Sequence, residues 1–235
     1  MEKLEKVYEG KAKILYKTQD PDKFIAYFKD SATAFDAIKK ATIEGKGTLN
    51  NTLASIFFEI LNKHGIPTHF IKKLSDREML VYKVEIIPVE VVVRNIAAGS
   101  IVKRLGIPEK KPFNPPLVEF YLKNDELHDP IICKEHILAM ELATEEEIEK
   151  MKELALKVNN ILSDFLKKHG ILLVDFKLEF GKRPDGSIVL ADEISPDTCR
   201  LWDIKTGEKL DKDRFRFDLG DLIEGYKKVL EKIQE

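Results

Sequence analysis

The segment DFKLEF at residues 175–180 constrains the fold of this chain more than any other. Charged and large apolar residues alternate along it, and in a β-strand alternate residues share a face. Asp175, Lys177 and Glu179 therefore project together, while Phe176, Leu178 and Phe180 face the other side. Apolar runs flank it, ILLV before and IVLA in the next segment, SIVLADEI at 187–194. Such flanks predict a central strand, and a central strand seldom presents charges without a use. Pro184, Asp185 and Gly186 predict a hairpin turn to the second run. With two or four residues in that turn, Asp192 joins the charged face; an odd length puts Glu193 there instead. Carboxylates beside a lysine suit Mg²⁺, which takes one or two carboxylates together with phosphate oxygens. The plain alternative is a solvent-facing hairpin with cross-strand ion pairs.

The rest of the chain predicts a mixture of strands and helices. Residues 6–28 read as strands around a glycine turn. Leu49, Leu53, Ile56, Phe57, Ile60 and Leu61 form one helical stripe over 48–64, and Gly65 marks its stop. Strands are expected at 69–74 and 78–86. Pro88 predicts a boundary, followed by a strand at 89–95, a short helix at 97–106 and a proline-rich loop at 109–116. Thr144 and Glu147 form a capping box for a helix over 145–169, and an amphipathic helix is expected near 218–233. The fold class is α+β with two lobes, a β-rich lobe at 1–86 and a mixed lobe at 87–235, and the cleft between them is the default ligand site.

Composition narrows the partners. The 235 residues carry 39 Lys plus Arg against 41 Asp plus Glu, a formal net charge of -2, which argues against a bulk nucleic-acid binder. Apolar runs such as IIPVEVVV at 86–93 fall far short of the ~20 residues needed to span a bilayer, so no membrane is expected. The opening MEKLEKVYEGK has no apolar core for a signal peptide. Cys133 and Cys199 match no metal or redox spacing, and the natural reading is a reducing cytoplasm.

Three further segments suit small anions. YEGKAK places Gly10 in a turn with Lys11 and Lys13 on one face beyond it, where backbone N–H groups and ammonium groups can meet phosphate. RNIAAGS ends a strand at Arg94 and opens a helix near Ser100. Arg200 follows the acidic hairpin, and DKDRFR at 211–216 adds Lys212, Arg214 and Arg216. Surface turns, an ordinary helix cap and solvated charges are the corresponding plain readings.

Together these segments resemble a known family. IIPVEVVVRNIAAGS at 86–100 and LVDFKLEFG at 173–181 are similar to two signature segments of the phosphoribosylaminoimidazole-succinocarboxamide synthase, or SAICAR synthetase, family. The likeness extends to YEGKAK, GKGTLNN, IVKRLGI, FNPPL, LKNDELHDP, DEISPDTCRLWD and DKDRFR, and so covers nearly the whole chain.

The resemblance implies an ATP-grasp-like fold with ATP in the cleft. It also implies a ligase that joins L-aspartate to carboxyaminoimidazole ribonucleotide (CAIR) in purine biosynthesis, with ATP converted to ADP and phosphate through an acyl phosphate. By resemblance Gly10, Lys11 and Lys13 hold the ATP phosphates, and the backbone from Lys83 through Val84 to Ile86 holds the adenine. Glu179 and Asp192 hold Mg²⁺, with Asp129 at a second metal ion. Arg94, Ser100, Arg200, Lys212 and Arg216 bind CAIR; Lys177 neutralises the moving phosphoryl group, and Asp175 orients Lys177 or the amine. A homo-oligomer is implied, a homodimer being one form of it. The competing reading from another class is a module that senses ATP or purine nucleotides without chemistry.

Overall fold

The computed structural model describes residues 2–34 and 38–234. The N-terminal part contains β1 (Lys6–Glu9), β2 (Lys13–Lys17), β3 (Lys23–Phe28), β4 (Ser31–Ala34), β5 (Lys39–Thr42), α1 (Lys46–Lys63), β6 (Phe70–Lys73) and β7 (Glu78–Tyr82). Beyond it come β8 (Glu85–Ile96), α2 (Ser100–Leu105), β9 (Pro112–Leu122), β10 (Ile131–Ile132), α3 (Lys134–Ala139) and α4 (Glu145–Lys168). The chain continues with β11 (Ile171–Lys182), β12 (Ile188–Ala191), β13 (Cys199–Asp203), α5 (Asp213–Arg216) and α6 (Leu222–Gln234).

Two antiparallel sheets and one small hairpin result among the described residues. The first sheet has the order β1-β2-β3-β7-β6, and β4 pairs with β5 separately. The second runs β10-β9-β8-β11-β12, with β13 also on β11. An isolated bridge between Thr68 and Leu190 ties the two sheets together. The fold class is α+β, as expected. Helices α1 and α4 bury the stripes read from the sequence: Leu53, Phe57 and Leu61 from one, and Ile148, Met151, Ala155, Val158 and Leu162 from the other, all in one core with Val89, Val91 and Leu178. The capping box of α4 is present, with the Glu147 N–H donating to Thr144 Oγ1 at 3.2 Å and the Thr144 N–H to Glu147 at 2.9 Å.

Two proline readings are corrected. Pro88 bounds no strand, because β8 runs through it from Glu85 to Ile96. The register against β11 jumps there, Glu179 pairing with Glu90 and Gly181 with Ile86, and this irregularity accommodates a residue without an N–H. Likewise the proline-rich stretch at 109–116 is not all loop: β9 begins at Pro112. Beyond the end of β10, which reaches only Tyr121 and Phe120, that stretch lies at the sheet edge, where missing donors cost nothing.

The connection between β12 and β13 positions the site. Both strands lie on the same side of β11, β12 opposite Glu179–Lys182 and β13 opposite Ile171–Phe176. Only Lys177 and Leu178 separate these two stretches, so residues 192–198 must arch over them. The Lys177 N–H donates to the Thr198 carbonyl at 2.9 Å and fastens the arch.

Candidate active site

The charged face of β11 opens into a cavity of about 710 Å³ between the two sheets. Asp175, Lys177 and Glu179 all line it, as the alternation of DFKLEF requires. The hairpin after β11 pairs Lys182 with Ile188, so its loop is 183–187 and of odd length. That register favours Glu193, yet both Asp192 and Glu193 reach the cavity. Asp192 leaves the strand in a left-handed conformation, φ 57°, which turns its side chain inward. Lys13 receives both: its Nζ donates to Asp192 Oδ1 and, at 3.0 Å, to Glu193 Oε1.

Lysines and carboxylates alternate through the pocket. Lys177 Nζ donates to Glu90 at 2.6 Å and to Glu179 at 2.9 Å, and Lys123 Nζ donates to the same Glu179 oxygen at 2.9 Å. Burial opposes the Lys177 charge, but Glu179, Glu90 and Asp192 hold it as ammonium well above the usual lysine range. Burial likewise works against the Asp192 carboxylate, yet Lys13, Lys177 and Lys123 hold it well below the usual range. Burial pushes Glu90 upward against the pull of Lys177. Lys11 pairs with Asp125 at 2.7 Å at the exposed rim. The Gly10 N–H donates to the Lys13 carbonyl at 2.8 Å, closing the turn between β1 and β2.

At the other end the charges are arginines. Arg94 lines the cavity but is 3% exposed, and its donors are engaged. Nε donates to Glu119 at 2.7 Å, Nη1 to Asp175 at 2.7 Å, and Nη2 to Ser100 at 3.3 Å and Tyr121 at 3.2 Å. Arg200 donates to Asp175 at 2.9 Å and, through Nε, to Asp213 at 2.9 Å; Arg216 donates to Asp213 at 2.7 Å. Gly99 makes room for Arg200: at φ 64° it is strained for other residues, and a Cβ would stand 2.3 Å from the guanidinium.

Of the residues selected from the sequence, Gly10, Lys11, Lys13, Val84, Ile86, Arg94, Asp129, Asp175, Lys177, Glu179, Asp192, Arg200, Lys212 and Arg216 line this one cavity. Ser100 stands behind Arg94, and Lys83 turns away, its N–H donating to the Asp22 carbonyl at 2.8 Å. Asp129 is left-handed, φ 46°, and its Oδ1 accepts the Asn124 N–H at 2.8 Å. Glu90, Lys123, Glu119, Asp197 and His69 were not selected. Glu90 had a signal, a lone charge inside a valine strand. The others had none, because each meets the site only through tertiary contacts with distant parts of the chain. Burial and the neighbouring Lys13 push the His69 imidazole down to about 4.

No three His, Cys, Asp or Glu side chains among the described residues close into a metal cage. Glu179 and Asp192 instead face lysines. Mg²⁺ bound through one or two carboxylates with phosphate oxygens completing its shell needs no such cage, so these residues fit a cation that arrives with a phosphate.

The family model for SAICAR synthetase matches residues 6–233. The chain belongs to the SAICAR synthetase family. It is accordingly an ATP-dependent carbon–nitrogen ligase of purine biosynthesis. It is 79% identical over 235 residues to the phosphoribosylaminoimidazole-succinocarboxamide synthase of Persephonella marina, covering 100% of this chain and 98% of that one. Among SAICAR synthetase structures, that from Ehrlichia chaffeensis superposes with a TM-score of 0.96 at 54% identity, covering 98% of each chain. A SAICAR synthetase (Type-2) in complex with ADP gives 0.94 at 57% identity and 97% coverage of each. No helix among the described residues is long and apolar enough to cross a membrane.

Proposed function

We propose that this cavity binds ATP, CAIR and L-aspartate and joins the last two as SAICAR, releasing ADP and phosphate. The observation that carries the reading is the single cavity in which Lys13, Lys177, Glu179 and Asp192 meet Arg94, Arg200 and Arg216. A carboxylate is a poor electrophile, so ATP must first convert the CAIR carboxylate to an acyl phosphate. Positioning and charge neutralisation do most of that work.

Lys11 and Lys13, under the Gly10 turn, would hold the phosphates. The connection at Val84 and Ile86 would hold the adenine. Glu179 and Asp192, with Asp129 for a second ion, would hold Mg²⁺, which when bound neutralises phosphate charge. Lys177 would sit against the moving phosphoryl group, kept charged by Glu90 and Glu179. Arg94, Arg200 and Arg216 would hold the ribonucleotide, with Lys212 beside them, Ser100 supporting Arg94 and Asp175 aligning both Arg94 and Arg200. In this reading residues 1–86 and 87–235 are two lobes of one catalytic unit, working as a homo-oligomer in the cytoplasm. The free thiols Cys133 and Cys199 are consistent with a reducing compartment.

The test is ADP release in the presence of Mg²⁺ and ATP. It is expected only when CAIR and L-aspartate are both added. Equal turnover without aspartate would make the protein a phosphotransferase, and binding without turnover a nucleotide sensor.

A further inference from the structure

Behind one wall of the cavity an unbalanced set of charges is enclosed. Asp197 lies in the arch over β11. Its Oδ1 accepts the Tyr226 hydroxyl from α6, and its Oδ2 accepts Lys46 Nζ from the first turn of α1. Lys212 Nζ stands 3.5 Å from that same Oδ2. Two amino groups thus share one carboxylate oxygen while a phenol fills the other. Lys46 is 0% exposed and is not part of the cavity lining, whereas Lys212 is. Two ammonium ions on one carboxylate leave an excess positive charge in a poorly hydrated place. That excess makes the outer amine the easier of the two to deprotonate.

The surroundings of Lys212 do not restore the balance. Arg216 adds positive charge from the same segment, although it pairs with Asp213. Glu193 is committed to Lys13 and to the Ser195 hydroxyl. Burial, Lys46 and Arg216 together push Lys212 below the usual lysine range, against Asp197 and Glu193. Lys13, Lys123 and Lys177 in the same cavity are moved the other way. The arch also ties Asp197 to the reacting strand, since its Thr198 carbonyl accepts the Lys177 N–H.

We propose that Lys212 is the proton acceptor for the attacking amine, with Lys46 as the positioning residue that keeps Lys212 free to accept. The proposal rests on the ligase reading above. The ammonium of L-aspartate gives one proton to the neutral Nζ of Lys212. The freed lone pair forms the C–N bond at the acyl phosphate carbon. The C–O bond to the phosphoryl group breaks, and phosphate leaves with that electron pair. The second N–H proton goes to the departing phosphate, and Lys212 returns its own proton to solvent.

The experiment is kcat against pH for the wild type, Lys212→Arg and Lys46→Met, with saturating ATP, CAIR and L-aspartate. Lys212→Arg keeps a long basic side chain but stays protonated and cannot accept a proton, so kcat should fall ~100-fold or more. Lys46→Met removes the competing ammonium and leaves Asp197 Oδ2 to Lys212 alone. The rising limb of the profile should then move up by about 1 on the pH scale. Lys212→Ala should regain turnover with added primary amines, more with more basic ones. Near wild-type kcat in Lys212→Arg, or an unmoved limb in a folded Lys46→Met protein, would overturn the proposal. Should Lys46→Met fail to fold, the arginine variant and the amine rescue decide. Wild-type ADP release that ignores aspartate sinks the ligase reading itself, which is a separate outcome.

Discussion

Asp175 Oδ2 accepts hydrogen bonds from both Arg94, at 2.7 Å, and Arg200, at 2.9 Å. The carboxylate belongs to β11, and the two guanidiniums come from the strands on either side of it, so one buried charge pins three strands at the mouth of the site. Asp175→Asn leaves two buried cations with a neutral partner. The unfolding free energy should fall by about 3 kcal/mol, measured by urea denaturation at pH 7. A change under ~0.5 kcal/mol would mean that Glu119 and Asp213 alone satisfy both arginines.

Arg94→Ala separates the two substrates. The change removes one guanidinium from the arginine end of the cavity, where Arg200 and Arg216 remain, and leaves the Lys13 end intact. The KM for CAIR should rise about 10-fold or more, while the KM for ATP stays within about 3-fold. Similar losses for both would refute the assignment of Arg94 to the ribonucleotide.

Glu179→Ala distinguishes a ligase from a sensor. Glu179 accepts from Lys123 and Lys177, and Glu90 still holds Lys177 once it is gone. Turnover should drop at least ~100-fold with the circular dichroism spectrum unchanged. Retained turnover with weaker nucleotide affinity would remove Glu179 from the chemistry.

Asp203 gives a pH signature away from the site. Backbone N–H groups of Lys205 and Thr206 donate to its Oδ1, and Lys232 of α6 pairs with Oδ2 at 3.0 Å. The Thr206 N–H first, then Lys232, hold its carboxyl down to about 2, below the ordinary 3.8. A carboxyl lowered on folding stabilises the protein above its ordinary value, and that contribution is lost as pH falls through about 2. It amounts to about 2 kcal/mol at neutral pH. Asp203→Asn should therefore cost about that much at pH 7 and little at pH 2, by urea denaturation at both. An equal loss at the two pH values would assign the effect to packing.

Local pattern determined much of this protein. Alternation in DFKLEF placed Asp175, Lys177 and Glu179 on one face, helical spacing fixed the stripes of α1 and α4, and Thr144 with Glu147 fixed where α4 begins. These follow from backbone periods and short-range hydrogen bonds, which any stretch of sequence displays by itself. The prolines misled for the same reason. Pro88 and Pro112 announce a break locally, but a register irregularity and a sheet edge, both properties of neighbouring strands, let β8 and β9 include them.

Tertiary structure alone decided the partners. The odd-length hairpin favoured Glu193, and the left-handed turn at Asp192 brought both carboxylates to Lys13. Lys46 and Tyr226 meet Asp197 although 151 and 29 residues separate them from it. Ion pairs of this kind depend on which strands lie side by side and on how completely water is excluded between them. Neither is encoded at any one position, so the charged face of β11 was legible in the sequence, while the charges that answer it were not.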